Sequence, residues 1–524
     1  MSDRDDWGAI VIGSGLGGLT TAAYLAANGV RPLVLEQADR VGGCSHVFRR
    51  KRVWEFDVGV HYVGEVHGEG TIGLVLSGLG LDKRIEFLPM DRDGFDTLVF
   101  PDLTFAVPAG WDAYLRRLTD TFPAQENGLR LCVDMMRERM GGFPLAQAFD
   151  IAELGPDARA VLAAQSADYG VPPSRAPIAA HGMVIGHYLS QGAFYPRGGG
   201  QVFAGHLLDV VTSHGGAVRI RARVERILTA GGRAVGVALS DGTEFRAPIV
   251  VSNADLKQTY RQLLDTERVA AATRARVEDL RMSAPMFTVY LGLDVDLSEL
   301  IPNTNYWTHP DFDIERVYRI DSRRELPAEL SLFISSSSRK DPGNPRVAPP
   351  GHSTLEIMAV SPTGRDFWGL TEDVANDNRY RRDPQYRSAK HRLATALIEQ
   401  AEKYIPDIRG HIVYQEAATP LTHRRYTLSS EGCCYGIALA AGQFGPDRPT
   451  PRTEISGLFL TGSNTTSGPG IGGTMGSGLH TASIVLQRDL REEILAGRVF
   501  TDTSKLTAGG PDWDPLEACR KNSV

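Results

Sequence analysis

The sequence predicts an α/β fold, with a parallel sheet in one domain and an α+β domain beside it. Two segments and the chain length predict this architecture. Residues 8–36 have the order strand, glycine-rich loop, helix, second strand, and residues 455–490 have the order strand, glycine-rich turn, helix. The 524 residues suffice for two or three domains, and 42% hydrophobic with 23% charged residues is ordinary globular usage.

The first segment carries the G-x-G-x-x-G spacing of a dinucleotide-binding loop. The run "AIVIG" is typical of a buried parallel strand, and Gly13, Gly15 and Gly18 lie at its end. The first glycine allows a tight turn, the second lets a pyrophosphate approach the backbone, and the third lets the helix pack on the strand. The second strand, "RPLVLE", ends at Glu36, where a carboxylate can accept hydrogen bonds from a ribose. Together these elements predict a Rossmann-like domain.

A second glycine pair directly after this unit favours FAD over NAD. In "ADRVGGCS", Arg40, Gly42 and Gly43 form an R-x-G-G doublet that resembles the one in the flavin amine oxidase and phytoene desaturase superfamily. The resemblance implies that the glycine pair approaches the FAD pyrophosphate and that Arg40 supports it. We interpret Cys44 as a small packed residue and not a nucleophile, because no base is visible beside it.

The carboxyl-terminal glycine-rich segment is expected to close the same sheet. Gly468, Gly470 and Gly473 also match G-x-G-x-x-G, but no second strand with a ribose-binding acid follows. A separate NAD(P) domain is therefore not expected. A last strand and helix of the FAD-binding domain fit better, with the helix N-terminus facing the pyrimidine end of the flavin.

The FAD-binding domain is predicted to be discontinuous, over residues 1–75, 195–280 and 445–500. Residues 217–255 alternate apolar and polar side chains with two glycine turns, which predicts a three-stranded excursion that returns to the sheet. The substrate-binding domain takes residues 76–194 and 281–444, and residues 501–524 form a polar, mobile tail.

Three segments resemble the carotenoid oxidoreductase family of phytoene desaturases, carotenoid isomerases and all-trans-retinol saturases. They are "EFDVGVHYVGE" (55–65), "TPLTHRRYTLSSEGCCYG" (419–436) and the "GLFLTG" strand (457–462). The resemblance implies an FAD-dependent oxidoreductase acting on carbon–carbon bonds of an apolar polyene, by desaturation, saturation or isomerisation. One departure stands out: many flavin enzymes carry Asp where this chain has Ser463, followed by Asn464.

The expected FAD contacts come from both glycine-rich segments, the second glycine pair, the "VGVHY" stretch and the excursion, where superfamily resemblance places backbone against adenine. They are Gly13, Ser14, Gly15, Leu16, Gly17, Gly18, Glu36, Gln37, Arg40, Gly42, Gly43, Cys44, Ser45, Gly59, His61, Val224, Gly462, Ser463, Asn464, Gly470, Ile471 and Gly472.

Four residues are candidates for the chemistry beside the flavin. His61 and Tyr62 should pass near it and could donate or accept the proton that accompanies hydride transfer, although His61 could equally bond the flavin. Arg425 and Tyr426 lie in the second family segment and could line the pocket.

Composition excludes several other classes. A net charge of −7 gives no basic field for nucleic acid, and five cysteines without a CxxC pair predict neither a zinc site nor a disulfide scaffold. No signal peptide and no spanning run are visible, so we expect a cytoplasmic protein, with peripheral attachment to a membrane left open. Residues 176–189 are interpreted as a buried or pocket-lining helix and as a candidate rim facing the membrane.

Two other functions stay open. A flavin amine oxidase shares the nucleotide motifs but acts on a small amine. A lipid-binding chaperone on the same fold needs no flavin. The sequence also leaves open the oligomeric state and the electron partner, which could be a quinone, oxygen or a reductant.

Overall fold

The computed structural model describes residues 7–319, 329–362, 365–371, 378–510 and 512–523. Strands β1 to β19 are, in chain order, Ala9–Ile12, Pro32–Leu35, Val47–Arg50, Trp54–Asp57, Phe87–Pro89, Asp96–Phe100, Leu103–Val107, Phe194–Pro196, Ala217–Arg219, Val224–Ala230, Arg233–Leu239, Glu244–Arg246, Val250–Ser252, Met286–Leu293, Asn305–Thr308, Leu332–Ser335, Ser353–Val360, Ile412–Ala418 and Leu458–Leu460. The α-helices of eight or more residues, α1 to α11, are Leu16–Ala27, Thr71–Gly78, Trp111–Thr121, Glu126–Arg137, Pro156–Ala163, Ile178–Leu189, Gln201–Ser213, Ala271–Asp279, Pro384–Ala401, Pro420–Thr427 and Gly470–Leu486.

A five-stranded parallel sheet forms the first layer, in the order β19-β13-β1-β2-β9. Its strands come from the amino-terminal, middle and carboxyl-terminal parts of the chain. Helices α1, α7 and α11 pack together on one face of it. The four residues of β1 are all buried, because the sheet is covered on both faces. The predicted α/β class is confirmed.

The predicted three-stranded excursion is present as the antiparallel sheet β10-β11-β12. Its first turn uses Gly231 and Gly232, both with positive φ, at 56° and 75°. The chain then returns through β13, which pairs with β1 and β19. The excursion packs its apolar side chains against the face of the parallel sheet that α1 does not cover.

A seven-stranded mixed sheet dominates the second region, in the order β18-β14-β17-β16-β15-β6-β7. The helices between residues 111 and 189 pack against one part of it, and α9 packs against another. Both cores are apolar. This sheet therefore brings strands from residues 96–107 and 286–418 together beside the parallel sheet.

The prediction of a mobile tail is wrong. A short helix, Pro515–Ala518, packs on α7 and buries Leu516 and Cys519 completely. The backbone N–H groups of Thr507 and Ala508 donate to the Asp209 carboxylate, each at 2.8 Å. These few buried contacts fix the segment on the surface of α7. They could not be predicted from the polar composition of residues 501–524.

Residues 176–189 are not a rim that faces a membrane. They contain α6, and none of its side chains is exposed; Ile185 retains 1% of its surface. The interpretation as a buried, pocket-lining helix is correct, since Met183 lines a cavity. In the described residues, no helix combines the length and the apolar character needed to cross a bilayer.

Candidate functional site

A cavity of about 690 Å³ lies along the carboxyl ends of the parallel strands; we call it the nucleotide cavity. The loop after β1, Glu36 after β2, Asn253 after β13 and Asn464 after β19 all line it. Open α/β sheets bind ligands at this edge, because the loops that leave the strands diverge there.

Glu36 fixes the glycine-rich loop after β1. One of its carboxylate oxygens accepts hydrogen bonds from the Ser14 backbone N–H at 2.9 Å and the Ser14 hydroxyl at 2.6 Å. The other accepts from the Ala38 N–H at 2.8 Å. Ser14 in turn accepts a bond from the Gly42 N–H at 3.1 Å. These contacts hold the first loop and the second glycine pair against each other.

The loop after β1, the start of α1 and the second glycine pair form a cradle of backbone. Three of its glycines approach other backbone so closely that no side chain fits. A Cβ on Gly17 would lie 2.6 Å from the Cα of Gly462, and a Cβ on Gly18 would lie 2.3 Å from the Gly13 carbonyl oxygen. A Cβ on Gly43 would lie 2.8 Å from the Cα of Gly15. The loop thus presents bare backbone at the N-terminus of α1, which fits a pyrophosphate.

Arg448 organises the loop after β19 from behind. Its guanidinium is 1% exposed and donates to the carbonyls of Ser463 at 2.6 Å, Thr465 at 2.8 Å and Ile437 at 3.1 Å. Burial lowers its pKa to about 10. The Asn464 side-chain oxygen accepts from the Ile437 N–H at 2.9 Å. Ser463 is therefore the better candidate to bond the ribityl chain or a phosphate.

His61 stands where the nucleotide cavity meets a second one. Its buried Nδ1 has no hydrogen-bond partner within the described residues, and its carbonyl accepts from Lys340 Nζ at 2.7 Å. Burial, aided by the Lys340 charge, lowers the pKa of His61 to about 3. The imidazole is thus neutral near pH 7, and its unpartnered nitrogen fits a bond to a bound group such as an isoalloxazine.

Beyond His61, the nucleotide cavity ends in an apolar wall. Trp307, Val317, Leu332, Phe333 and Met358 form this wall. The Trp307 and Phe333 rings lie 4.4 Å apart between centroids, and the His61 ring lies 5.7 Å from Phe333. No charged group is among these five side chains, so this end suits a ligand without charge.

The second cavity, of about 1020 Å³, shares His61, Asp168, Tyr435, Gly470 and Ile471 with the first. Its interior is lined by apolar residues of α2, α6 and α11. Charged residues such as Glu69, Arg139, Arg452 and Arg491 also line it, and these four are exposed. The two cavities therefore approach the same small region from different directions.

Two stacked tyrosines lie beside this junction, and each is hydrogen-bonded to an acid. The rings of Tyr62 and Tyr188 are 4.1 Å apart and nearly parallel, at 5°. The Tyr62 hydroxyl donates to Asp96 at 3.1 Å, and the Tyr188 hydroxyl donates to Asp168 at 2.9 Å. Burial raises the pKa of Asp96 to about 6 in spite of three hydrogen bonds that favour its ionised form.

Most of the predicted FAD contacts line the nucleotide cavity. They are Gly13, Ser14, Gly15, Leu16, Gly17, Glu36, Gln37, Arg40, Gly42, Gly43, Cys44, Ser45, Gly59, His61, Val224, Ser463, Asn464, Gly470 and Ile471. Three others do not: Gly18 and Gly462 pack against neighbouring backbone or Asn253, and Gly472 lines the second cavity beside His187. Gly18 and Gly462 thus serve close packing, whereas Gly472 faces the second cavity.

The structure separates the four catalytic candidates. Tyr62 lines the second cavity near His61. Tyr426 lies at the other end, where its carbonyl accepts from Gln37 Nε2 at 2.9 Å, and Arg425 stacks on it without lining either cavity. We therefore assign neither Arg425 nor Tyr426 to the chemistry. The second family segment (419–436) contains α10, which lies at the Gln37 end of the nucleotide cavity. The sequence of the segment does not show this position.

The cysteines show one correction. Cys44 is not packed; its exposed side chain faces the nucleotide cavity, although its enclosed setting raises the pKa of the thiol. A protonated thiol without an adjacent base is a poor nucleophile, as expected. Cys433 is buried in the cavity wall with Cys434 beside it, and burial raises both pKa values. Among the described residues no group of metal ligands is present.

Sequence reasoning missed several residues of the site. Asn253 follows β13, and the rule that ligands bind at the carboxyl ends of parallel strands could have found it. Arg448, Asp168 and the apolar wall lie far from the glycine motifs in sequence, and no local pattern marks them. They belong to the site through tertiary packing alone.

Residues 16–486 match the model of the "flavin containing amine oxidoreductase" family. The chain belongs to this family. The match begins inside the first glycine-rich segment, at Leu16, and runs through the whole second region to the carboxyl-terminal glycine-rich segment. FAD is accordingly the cofactor of this oxidoreductase, and the nucleotide cavity with its bare-backbone cradle fits it.

Similarity to curated proteins places this flavin-containing oxidoreductase beside polyene enzymes. It is 31% identical to an all-trans-retinol 13,14-reductase of Macaca fascicularis, over 95% of this chain and 88% of that one. It is 27% identical to a lycopene-forming phytoene desaturase of Pseudescherichia vulneris, over 91% and 99%. These relatives confirm the resemblance to the carotenoid oxidoreductases. The crystal structure of a Methanosarcina mazei oxidoreductase shares the fold, with a TM-score of 0.65 at 17% identity, over 92% and 100%.

Proposed function

We propose that the protein transfers hydride between FAD and a carbon–carbon double bond of an apolar polyene of the retinoid or carotenoid class. The observation that carries this is the apolar wall, which continues the nucleotide cavity beyond His61. A hydrocarbon gains roughly 25 cal/mol per Å² of apolar surface removed from water, so such a wall can bind a polyene without polar contacts.

FAD supplies the hydride chemistry, and the chain's residues position the reactants. The glycine-rich loop and Glu36 hold the dinucleotide, while Arg448 keeps the loop around Ser463 in place behind it. The neutral His61 can hydrogen-bond the flavin through its unpartnered Nδ1. Trp307 and Phe333 exclude water from the bond that reacts.

Reduction is the direction that the relatives favour. The chain is 31% identical to a retinol 13,14-reductase and 27% identical to a phytoene desaturase. A reductase needs an electron donor, and the one complete dinucleotide fingerprint is taken by FAD. The donor is therefore expected to meet the flavin directly, without a nucleotide domain of its own.

Oxidation of a small amine is the weaker alternative. The parallel rings of Tyr62 and Tyr188 lie 4.1 Å apart and contact each other, so no amine can stack between them. The chaperone alternative does not explain why the glycine-rich loop after β1, Glu36 and the second glycine pair all line one cavity at the carboxyl ends of the parallel strands.

The polyene is expected to come from a membrane surface. Leu131, Met140 and Ile151 are exposed apolar side chains of the helical layer, at 42%, 54% and 54%. Met140 follows Arg139, which lines the second cavity. Peripheral attachment at these residues would place a cavity opening against lipid. Liposome binding that Leu131→Asp and Met140→Asp do not weaken would contradict it.

The test uses the flavin as reporter. The protein is reduced anaerobically with dithionite and mixed with all-trans-retinol or phytoene in vesicles, and flavin absorbance is followed. Reoxidation by a polyene with formation of a saturated product is expected. The oxidised protein is mixed with putrescine in parallel. Flavin reduction by the amine, with no response to either polyene, would overturn the proposal.

A further inference from the structure

Asp168 occupies the junction of the two cavities. It ends the short helix Ala164–Asp168 and lines both cavities, as His61 and Tyr435 also do. The apolar wall, His61 and the first residues of α11 all meet at this junction. Asp168 is therefore positioned to reach a substrate bound against the flavin.

The surroundings of Asp168 raise the pKa of its carboxyl group, so that a protonated fraction persists near pH 7. Its one strong partner is the Tyr188 hydroxyl, at 2.9 Å, and no described cation forms an ion pair with it. The other groups that interact with its charge are the Asp96 carboxylate and the hydroxyls of Tyr62, Tyr169, Tyr318 and Tyr435. Burial and Asp96 raise the pKa of Asp168 to about 7, against the opposing effect of Tyr188.

The other titratable groups at the junction are poorer proton donors. His61 has a pKa near 3 and carries no spare proton near pH 7. The Tyr62 hydroxyl is already engaged as a hydrogen-bond donor to Asp96, and burial raises the pKa of Tyr62 well above the usual range. Burial also raises that of Tyr435. An efficient general acid has a pKa close to the working pH, which among these groups describes Asp168.

We propose that Asp168 is a catalytic residue, the acid that protonates the polyene, an inference that rests on the proposed function. The π bond of one double bond breaks: one carbon forms a C–H bond with the hydride supplied by the reduced flavin, and the other takes the proton of the Asp168 carboxyl group. The polyene is reduced by two electrons, the flavin is oxidised, and Asp168 becomes a carboxylate. Water in the second cavity returns the proton.

The first arm of the test needs no turnover. Infrared spectra of the oxidised holoenzyme should show a carboxylic-acid C=O band near pH 6 that shifts in D₂O and is lost on titration through about pH 7. Asp168→Asn should remove it. Asp150→Asn, at an exposed aspartate paired with Arg159, is the matched control and should leave it. A spectrum in which Asp168→Asn removes no band overturns the proposal.

The second arm measures single-turnover oxidation of reduced flavin by all-trans-retinol against pH. Asp168→Asn should slow it about 10²–10⁴-fold, whereas Asp150→Asn should not. Tyr188→Phe removes a hydrogen bond that favours the carboxylate, so the alkaline limb should move to higher pH. Asp96→Asn removes a neighbouring negative charge, so the limb should move to lower pH. If Asp168 had only a structural role, the two variants would not shift the alkaline limb of the pH profile in opposite directions.

The two proposals fail in different ways. If wild-type protein carries the Asp168 band but no polyene reoxidises its flavin, the proposed function is wrong and the catalytic role falls with it. If the polyene reacts and Asp168→Asn stays within threefold of wild type with normal FAD content, the proposed function stands and Asp168 is not the acid.

Discussion

Ser14 donates both its backbone N–H and its hydroxyl to one carboxylate oxygen of Glu36, at 2.9 and 2.6 Å. The other carboxylate oxygen is bound by the Ala38 N–H. Glu36 therefore ties the end of β2 to the loop after β1, and it does so at the wall of the nucleotide cavity. Shaping the loop is thus a second task of this acid, beside any bond to the ribose.

Ser14→Ala should weaken FAD binding without unfolding the protein. The change removes the 2.6 Å bond to an ionised partner, a contact worth about 1.5–3 kcal/mol, so the Kd for FAD should rise roughly ten- to a hundredfold. Fluorescence titration of the apoprotein measures it. Ser504→Ala, in an exposed turn of the carboxyl-terminal segment, is the control. Equal affinity in both variants would show that Glu36 holds the loop without Ser14.

Arg448→Met should destabilise the protein by about 3 kcal/mol or more and lower its FAD content. The carbonyls of Ile437, Ser463 and Thr465 would lose their buried donor, and each unsatisfied polar group costs about 1–3 kcal/mol. Thermal unfolding and the ratio of flavin to protein absorbance are the measurements. Arg452→Met, at an exposed neighbour, should change neither. Normal stability and flavin content would refute the role of Arg448.

Val317→Asp should impair polyene binding and spare the flavin. Val317 belongs to the apolar wall, and a carboxylate there must stay in water or be buried beside the hydrocarbon. The Kd for all-trans-retinol should rise at least about tenfold, equivalent to about 1.4 kcal/mol, at unchanged FAD content. Val413→Asp changes a valine that is 46% exposed and serves as control. If the two variants bind retinol with the same affinity, the polyene does not bind against the apolar wall, and the second cavity becomes the candidate binding site.

Thr71→Val should lower the stability of the protein at neutral pH and make that stability less dependent on acid. Burial opposes ionisation of Glu65, yet the adjacent His187 and then the hydrogen bonds from Thr71, whose hydroxyl lies at 2.8 Å, lower its pKa to about 2. A depressed acid stabilises the fold above its unfolded pKa of about 4.3, and that contribution is lost as the pH falls toward 2. The variant raises the folded pKa, so less stability remains at pH 7.

Urea unfolding at pH 7 and pH 3 checks this. The stability difference between wild type and Thr71→Val should be larger at pH 7 than at pH 3. Thr104→Val, on the exposed edge of β7, should show no such difference. A deficit that is independent of pH would mean that Thr71 acts by packing and not through Glu65.

Local sequence patterns predicted the nucleotide half of the protein well. The loop around Gly15 and the position of Glu36 follow from a spacing within about 30 residues, where each residue's role depends on its neighbours along the chain. The return of β13 to the sheet was also visible, since an apolar run after an alternating segment marks a buried strand.

The junction could not be predicted, because tertiary packing assembles it. Asp168 lies in a helical stretch without a motif, and nothing in its neighbourhood shows that Tyr188 and Asp96 will surround it. Tyr426 lines the cavity, as its family segment indicates, but the sequence does not show at which end of the cavity α10 lies.

The strand order of the parallel sheet has a consequence for biosynthesis. The neighbours of β1 are β2 and β13, and β19 completes the edge only after some 460 residues have been made. At roughly 5–20 residues per second, a ribosome needs about half a minute to a minute and a half to reach that point. The amino-terminal cradle emerges long before the strand and loop that close it. Flavin capture is thus a late event, and until then the nascent chain displays an unpaired edge at β13 that a chaperone has time to cover.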